Sequence, residues 1–332
     1  MSSQFPENPL EAYGAATAAL ARADERVAMC ANPRALLARL RRSEQQALAL
    51  LEGEDILHDQ LALEYGASPR AWRRWPHAFV QVYARPLPAG RQPSADVVRR
   101  WLHHRAARTG PAPERTRIEI YEDRLNAWER RCAAAHAQPP LHAAADFAGT
   151  FARIAPLSRG NAVIAVMLGD RCTAPAQRFS AGGIAALGLQ RRQIAWAGLS
   201  ADRDDDEADD LSPAGLAARR RHAWLAALAA GGDAVVALAR AVEHWSLVVE
   251  EACATRRSSS RLRRVAELAA EYPSLTPSRL APMLGMTRQG ATLLLEEARK
   301  CRIVHEITHG NAFRRYSAAI DPANAQISME MT

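Results

Sequence analysis

Apolar and polar positions alternate along most of the chain with a helical period, interrupted by breaks that carry Pro and Gly. Residues 9–31 form one amphipathic run, which Asn32-Pro33 ends. Arg34 to Leu51 sets Leu36, Leu37, Leu40, Ala47, Leu48 and Leu51 at helical spacing, and Glu52-Gly53 stops it. The pattern predicts further helices over Glu54–Glu64, from Trp72, Trp75 and Pro76 through Tyr83, and over Ala95–Thr109, with a Pro/Gly-rich loop at Arg85–Ser94. It predicts another over Glu114–His136, with Ile118, Ile120, Leu125 and Trp128 on the apolar side, and one over Leu141–Ile154 beyond Pro139-Pro140. A turn at Pro156–Gly160 leads into Asn161–Leu168, which is apolar enough to lie in a core. Residues 200–212 read as an acidic surface loop, and Leu216–Thr255 as one long helix or as two broken near Gly231-Gly232.

The last quarter of the chain has a more specific pattern, in Pro277-Ser-Arg-Leu-Ala-Pro-Met-Leu-Gly-Met-Thr-Arg-Gln-Gly-Ala-Thr-Leu-Leu-Leu-Glu296. Two helices that cross steeply need a small residue where they touch, here Ala281, and a residue tolerant of positive φ at the turn, here Gly285. Leu280, Leu284, Met286, Ala291 and Leu294 occupy the positions that bury the pair, and Thr287 suits the N-cap of the second helix. Gly290 within that helix costs ~1 kcal/mol of propensity relative to Ala. Upstream, Ser260–Tyr272 reads as a helix with Leu262, Val265, Leu268 and Ala269 inward. Downstream, Arg302–Thr308 and Ala312–Ala318 are β-prone runs joined by His309-Gly310-Asn311, a hairpin signal. Three helices and a hairpin make a winged helix-turn-helix.

Composition sharpens this picture in two ways. Richness in Ala, Leu and Arg with only 6% aromatics favours a mainly α protein, and 48% hydrophobic residues suffice for a sizeable core. Charge is unevenly placed: Thr255 to Ile320 holds twelve Arg and Lys against five Asp and Glu, a surplus equal to the whole formal net charge of +7. A basic excess confined to one module is the footprint of nucleic-acid binding. The expected partner is double-stranded DNA. Thr287, Arg288, Gln289 and Thr292 are expected to face base edges in the major groove; Arg256, Arg257, Arg261, Arg314 and Arg315 are expected to bind phosphate.

Other chemistry is sparse. The five cysteines are far apart and unpaired by motif, which points to reduced cytoplasmic thiols, and no signal peptide or uncharged membrane-length run is legible. His103, His104, His136 and His142 lack a helical partner of ligand type, Asp170 and Glu64 are isolated, and no phosphate loop or hydrolase motif occurs. The expectation is therefore no metal, no cofactor, no catalytic residue and no membrane.

Residues 147–168 resemble the core of Fic-domain proteins, whose loop follows His-Pro-Phe-x-acid-Gly-Asn-Gly-Arg. Pro156, Gly160 and Asn161 match, whereas Ala155, Leu157, Arg159, Ala162 and Val163 replace the His, Phe, acid, Gly and Arg. The resemblance implies a degenerate loop without the base, metal-holding acid or phosphate-gripping Arg of the active enzymes. Leu50 to Asp55 is similar to their inhibitory-helix region, with Glu52-Gly53 matching and Leu48 where a Ser stands. From about residue 35 the chain resembles an uncharacterised alphaproteobacterial, rhizobial-type family of helix-turn-helix proteins. The features that carry this are Leu50–Leu63, Pro156–Asn161 and Arg256–Leu262.

The resulting expectation is a mainly α chain with a helical region at 1–90, a Fic-like helical core at 91–255, a winged helix-turn-helix at 256–320 and a tail at 321–332. Its function would be transcriptional regulation as a homodimer, the long helix pairing across a two-fold axis. A Fic-type transferase of divergent chemistry and a non-catalytic protein-interaction adaptor are the alternatives.

Overall fold

The computed structural model describes residues 8–51, 94–96, 98–99, 118–173, 183–192, 194, 196, 213–254, 261–308 and 314–320. The protein is mainly helical. Among the described residues the elements are α1 (Pro9–Met29), α2 (Pro33–Leu51), α3 (Glu122–Cys132), a 3-10 turn (Ala133–Ala137), α4 (Pro140–Ile154), α5 (Asn161–Thr173), α6 (Ile184–Arg192), α7 (Pro213–Ala254), α8 (Arg261–Glu271), α9 (Pro277–Met283), α10 (Arg288–Lys300), β1 (Val304–Glu306) and β2 (Tyr316–Ala318). The helices expected at 54–64 and from Trp72 to Tyr83, the loop at 200–212 and most of Ala95–Thr109 lie outside the described residues.

The chain forms two compact units. The first comprises Met1–Glu25, Ser43–Asp55 and Arg73–Val235; the second comprises Arg26–Arg42, Ile56–Trp72 and Val236–Thr332. In the first, α3, α4, α5 and α6 pack in succession around Trp128, Phe147, Phe151, Ile164 and Leu168. Trp128 stands edge-on to Phe151 with ring centroids 5.3 Å apart. Its indole N–H donates to the Phe147 carbonyl at 3.1 Å, so the buried ring leaves no orphan donor.

Two expectations change here, and one open alternative is decided. Ile118 to Ile120 precede the helix and are extended; Ile120 bridges Leu157, the Tyr121 amide donates to the Pro156 carbonyl at 2.8 Å, and the helix begins at Glu122. The β-branched residues alternate with Glu119, a period of two that suits a strand and that the longer helical run had masked.

Gly231 and Gly232 do not break α7, which is continuous for 42 residues. They serve close approach instead. A Cβ on Gly231 would overlap the Ile184 carbonyl oxygen, one on Gly188 the Ala227 carbonyl oxygen, and one on Gly232 would come within 2.8 Å of the Ala19 carbonyl. A helix backbone can lie against another only where side chains vanish.

Asp170 is not isolated. Its buried carboxylate accepts from the amides of Gly183 at 3.1 Å and Ala185 at 2.9 Å, capping the N-terminus of α6. Burial outweighs those bonds and pushes its pKa up to about 7.

One described helix, Ala214–Ala254, is long and apolar enough to cross a membrane, and 67% of its most apolar window is buried inside the protein.

In the second unit two arginines of α2 reach main-chain carbonyls. Arg39 donates to the Ala318 carbonyl at 2.6 Å, and Arg42 to the carbonyls of Ala270 and Glu271, both at 3.2 Å. Arg42 thus closes the C-terminus of α8, where unpaired carbonyls favour a cation. From α7, the Trp245 indole donates to the Ile303 carbonyl at 2.9 Å.

Candidate nucleic-acid interface

The helix pair α9–α10 is built from its caps. Thr276 accepts from the Arg279 amide at 3.2 Å with Pro277 in the first turn of α9, and Thr287 accepts from the Gly290 amide at 3.2 Å to start α10. Between them α9 ends in a Schellman arrangement. The Met286 amide reaches back to the Ala281 carbonyl at 3.0 Å and the Gly285 amide to the Pro282 carbonyl at 3.4 Å. Gly285 has φ +59°, and open space surrounds the position of a Cβ there, so backbone conformation rather than packing requires glycine.

Gly290 has a local reason as well. A Cβ would sit 3.3 Å from the capping hydroxyl of Thr287 and 3.4 Å from the Met286 methyl, so glycine leaves that cap room.

Leu262, Val265, Leu268 and Ala269 of α8, Leu280 and Ala281 of α9, and Ala291, Leu295 and Ala298 of α10 are buried. The seam of α10 runs through Leu295; Leu294, expected inside, is half-buried, as are Leu284 and Met286.

β1 and β2 pair antiparallel in the register Val304 with Ala318 and Glu306 with Tyr316. On the other side of β2, Leu275 and Tyr316 exchange both main-chain hydrogen bonds, at 2.8 and 2.9 Å, so β2 lies between two partners. The joining residues 309–313 lie outside the described ones.

α10 is held to β2 through Glu296. One carboxylate oxygen accepts from the Tyr316 hydroxyl at 2.7 Å and from Arg314 at 2.9 Å; the other accepts from Arg299 at 3.0 and 3.1 Å. The Tyr316 bond, followed by the arginines, lowers the Glu296 pKa. Burial, then the bond to Glu296, pushes Tyr316 up to about 12. The α10 end that starts at Thr287 is free of this network.

Thr287, Arg288 and Gln289 are exposed at that end. Thr292 is half-buried, and its hydroxyl donates to the Arg288 carbonyl at 3.0 Å, so it is occupied within the helix. Arg261 is exposed at the start of α8; Arg256 and Arg257 lie outside the described residues. Arg314 pairs with Glu296 and, at 3.7 Å, with Glu306, while Arg315 is half-buried. Sequence reasoning missed Leu293, which is 67% exposed in the middle of α10. Three consecutive leucines conceal which of them faces out until the seam is located.

The loop that carries the Fic resemblance belongs to the first unit. Ala155 ends α4 with φ +48°, Pro156 and Leu157 are buried, and Gly160 has φ +72°. The Asn161 carboxamide accepts from the Leu157 amide at 3.0 Å and donates to its carbonyl at 2.8 Å. Ser158 and Glu119 exchange two further bonds, each at 3.0 Å. Arg159 is half-buried and Ser158 exposed. Glu52 and Gly53 lie outside the described residues, as do His103, His104 and the His136 side chain. His142 lies edge-on to Tyr13 at 5.0 Å, and burial lowers its pKa. Among the described residues no group of three or more His, Cys, Asp or Glu could hold a metal ion.

Compared with models of known protein families and with curated proteins, the chain matches none.

Proposed function

We propose that the chain is a sequence-specific duplex-DNA-binding protein, a transcriptional regulator whose segment from α8 to β2 is a winged helix-turn-helix. The observation that carries this reading is the exposed, Thr287-capped start of α10. It projects Arg288 and Gln289 beyond a glycine-closed turn, within the stretch that holds the chain's entire basic surplus. In this reading α10 enters the major groove N-terminus first. Arg288 pairs with guanine and Gln289 with adenine, while Arg261 contacts phosphate. Arg314 orders the wing through its acidic partners before it reaches any backbone.

The loop at 155–161 is a structural corner in the same reading. Its Asn161 side chain is consumed in closing the turn on Leu157, and Ala155, Arg159 and Val163 stand where the Fic pattern has its His, acid and Arg. The protein acts as a homodimer on two half-sites, which light scattering at micromolar concentration checks directly.

The test is a titration of fluorescent duplex DNA at several salt concentrations. Affinity that falls linearly in log–log form, with a slope equivalent to several released ions, supports the reading. Absence of binding at low salt overturns it.

A further inference from the structure

We propose that Leu293 is a specificity-determining residue that reads the 5-methyl group of a thymine in the major groove. The inference rests on the DNA-binding reading above and adds to it a base preference that neither Arg288 nor Gln289 supplies.

At about 100° per residue, positions 289, 293 and 300 of α10 fall opposite the buried seam of Ala291, Leu295 and Ala298. Gln289 and Leu293 are therefore consecutive knobs on the outward ridge, one turn apart. Leu293 is 67% exposed. Thr292 is turned to the Arg288 carbonyl, Glu296 is tied to Tyr316, Arg299 and Arg314, Gly290 carries no side chain, and Glu297, one turn on, is half-buried.

An amide that bonds adenine, followed one turn later by a branched alkyl group, meets the two features an A·T-containing step shows in the major groove. These are the adenine N6/N7 pair and the thymine methyl. Lys300, exposed on the same ridge, and Arg288, exposed at the start of the helix, favour a polyanion over an apolar protein groove as the occupant.

The experiment uses the full chain and a duplex selected from a random pool. Each thymine of that duplex is replaced in turn by deoxyuridine, which keeps every hydrogen-bonding group and removes only the methyl. The wild type is expected to lose about fourfold in affinity at one or two positions, the factor for one methyl group returned to water. Leu293→Ala is expected to bind the parent duplex more weakly and to be indifferent to deoxyuridine at those positions, whereas Leu293→Met keeps the discrimination.

Tight, salt-sensitive binding with no deoxyuridine effect in the wild type, or an effect that persists in Leu293→Ala, overturns this assignment and leaves DNA binding standing. So does dissolution of an oligomer by Leu293→Ala with an unchanged deoxyuridine pattern, which would make Leu293 a protein contact. Failure of the wild type to bind any duplex overturns both readings. An unchanged circular dichroism spectrum for Leu293→Ala, an exposed site, verifies that folding is intact.

Discussion

Replacement of Glu296 by alanine is expected to loosen the contact between α10 and the sheet by about 2 kcal/mol. Tyr316 is fully buried, and its hydroxyl donates to Glu296 at 2.7 Å. Losing that acceptor leaves a buried phenol unsatisfied, at a cost of about 1–3 kcal/mol. The two arginine pairs add little. Arg299 and Arg314 side chains are 47% and 39% exposed, and pairs so open to water contribute about 0–1 kcal/mol each.

Glu296→Gln keeps an acceptor for the phenol and loses only the charge, so it is expected to cost about half as much. Tyr316→Phe removes the donor and leaves Glu296 with its arginines. The double variant should therefore show coupling of about 1 kcal/mol. Because the Glu296 pKa is lowered below the ordinary 4.5, its contribution is complete at neutral pH. It begins to fall only as pH drops below about 4.5 and is gone once the folded-state carboxyl protonates.

The assay is amide hydrogen exchange at Leu275 and Tyr316, whose mutual main-chain bonds report opening of the sheet without requiring the whole chain to unfold. Exchange at both amides in Glu296→Ala indistinguishable from wild type would refute the reasoning.

Two further substitutions probe the backbone. Gly231→Ala forces a methyl group into the Ile184 carbonyl and is expected to destabilise the first unit by about 3 kcal/mol, at the upper end of overpacking costs; thermal melts within a degree of wild type would show that α7 does not approach α6 there. Arg302 ends α10 with φ +59°, its amide bonding Arg299 and the next amide bonding Ala298, the same closure that Gly285 makes. Arg302→Gly is therefore expected to stabilise by about 1 kcal/mol in urea titrations, and a loss of stability would count against that backbone conformation.

The candidate interface was largely legible because its signals are local. A cap hydroxyl, a glycine at a turn and a small residue four positions earlier act within one or two turns of chain, so Thr287, Gly285 and Ala281 declare their roles by spacing alone. Leu280 and the inward face of α8 follow from periodicity.

The features that escaped depend on partners distant in sequence. Gly231 leaves one helix or two open until Ile184 is seen against it, and Ile118–Ile120 reads as helix until Leu157 supplies a pairing edge. Arg39 and Arg42 look like surface charges on an amphipathic helix, because the carbonyls they serve lie more than two hundred residues away. Asp170 appeared solitary because main-chain amides, which no residue type encodes, are its partners. Within the helix pair the slips were rotational: Thr292, expected outward, and Leu284 and Met286, expected inward, are half-buried, and a run of three leucines left the seam free to be placed at Leu294 or Leu295. That choice decides whether Leu293 points outward.

The central claim is that the start of α10 reads base sequence. Its most direct test is the affinity of wild type, Arg288→Ala and Gln289→Ala for a selected duplex and for versions of it with single base-pair changes. The account predicts that each variant loses about five-fold or more on the selected site, the equivalent of ~1–3 kcal/mol per bidentate contact. It also predicts that each variant becomes indifferent to one base-pair change that the wild type rejects. Equal affinity of all three proteins across the whole set would contradict it.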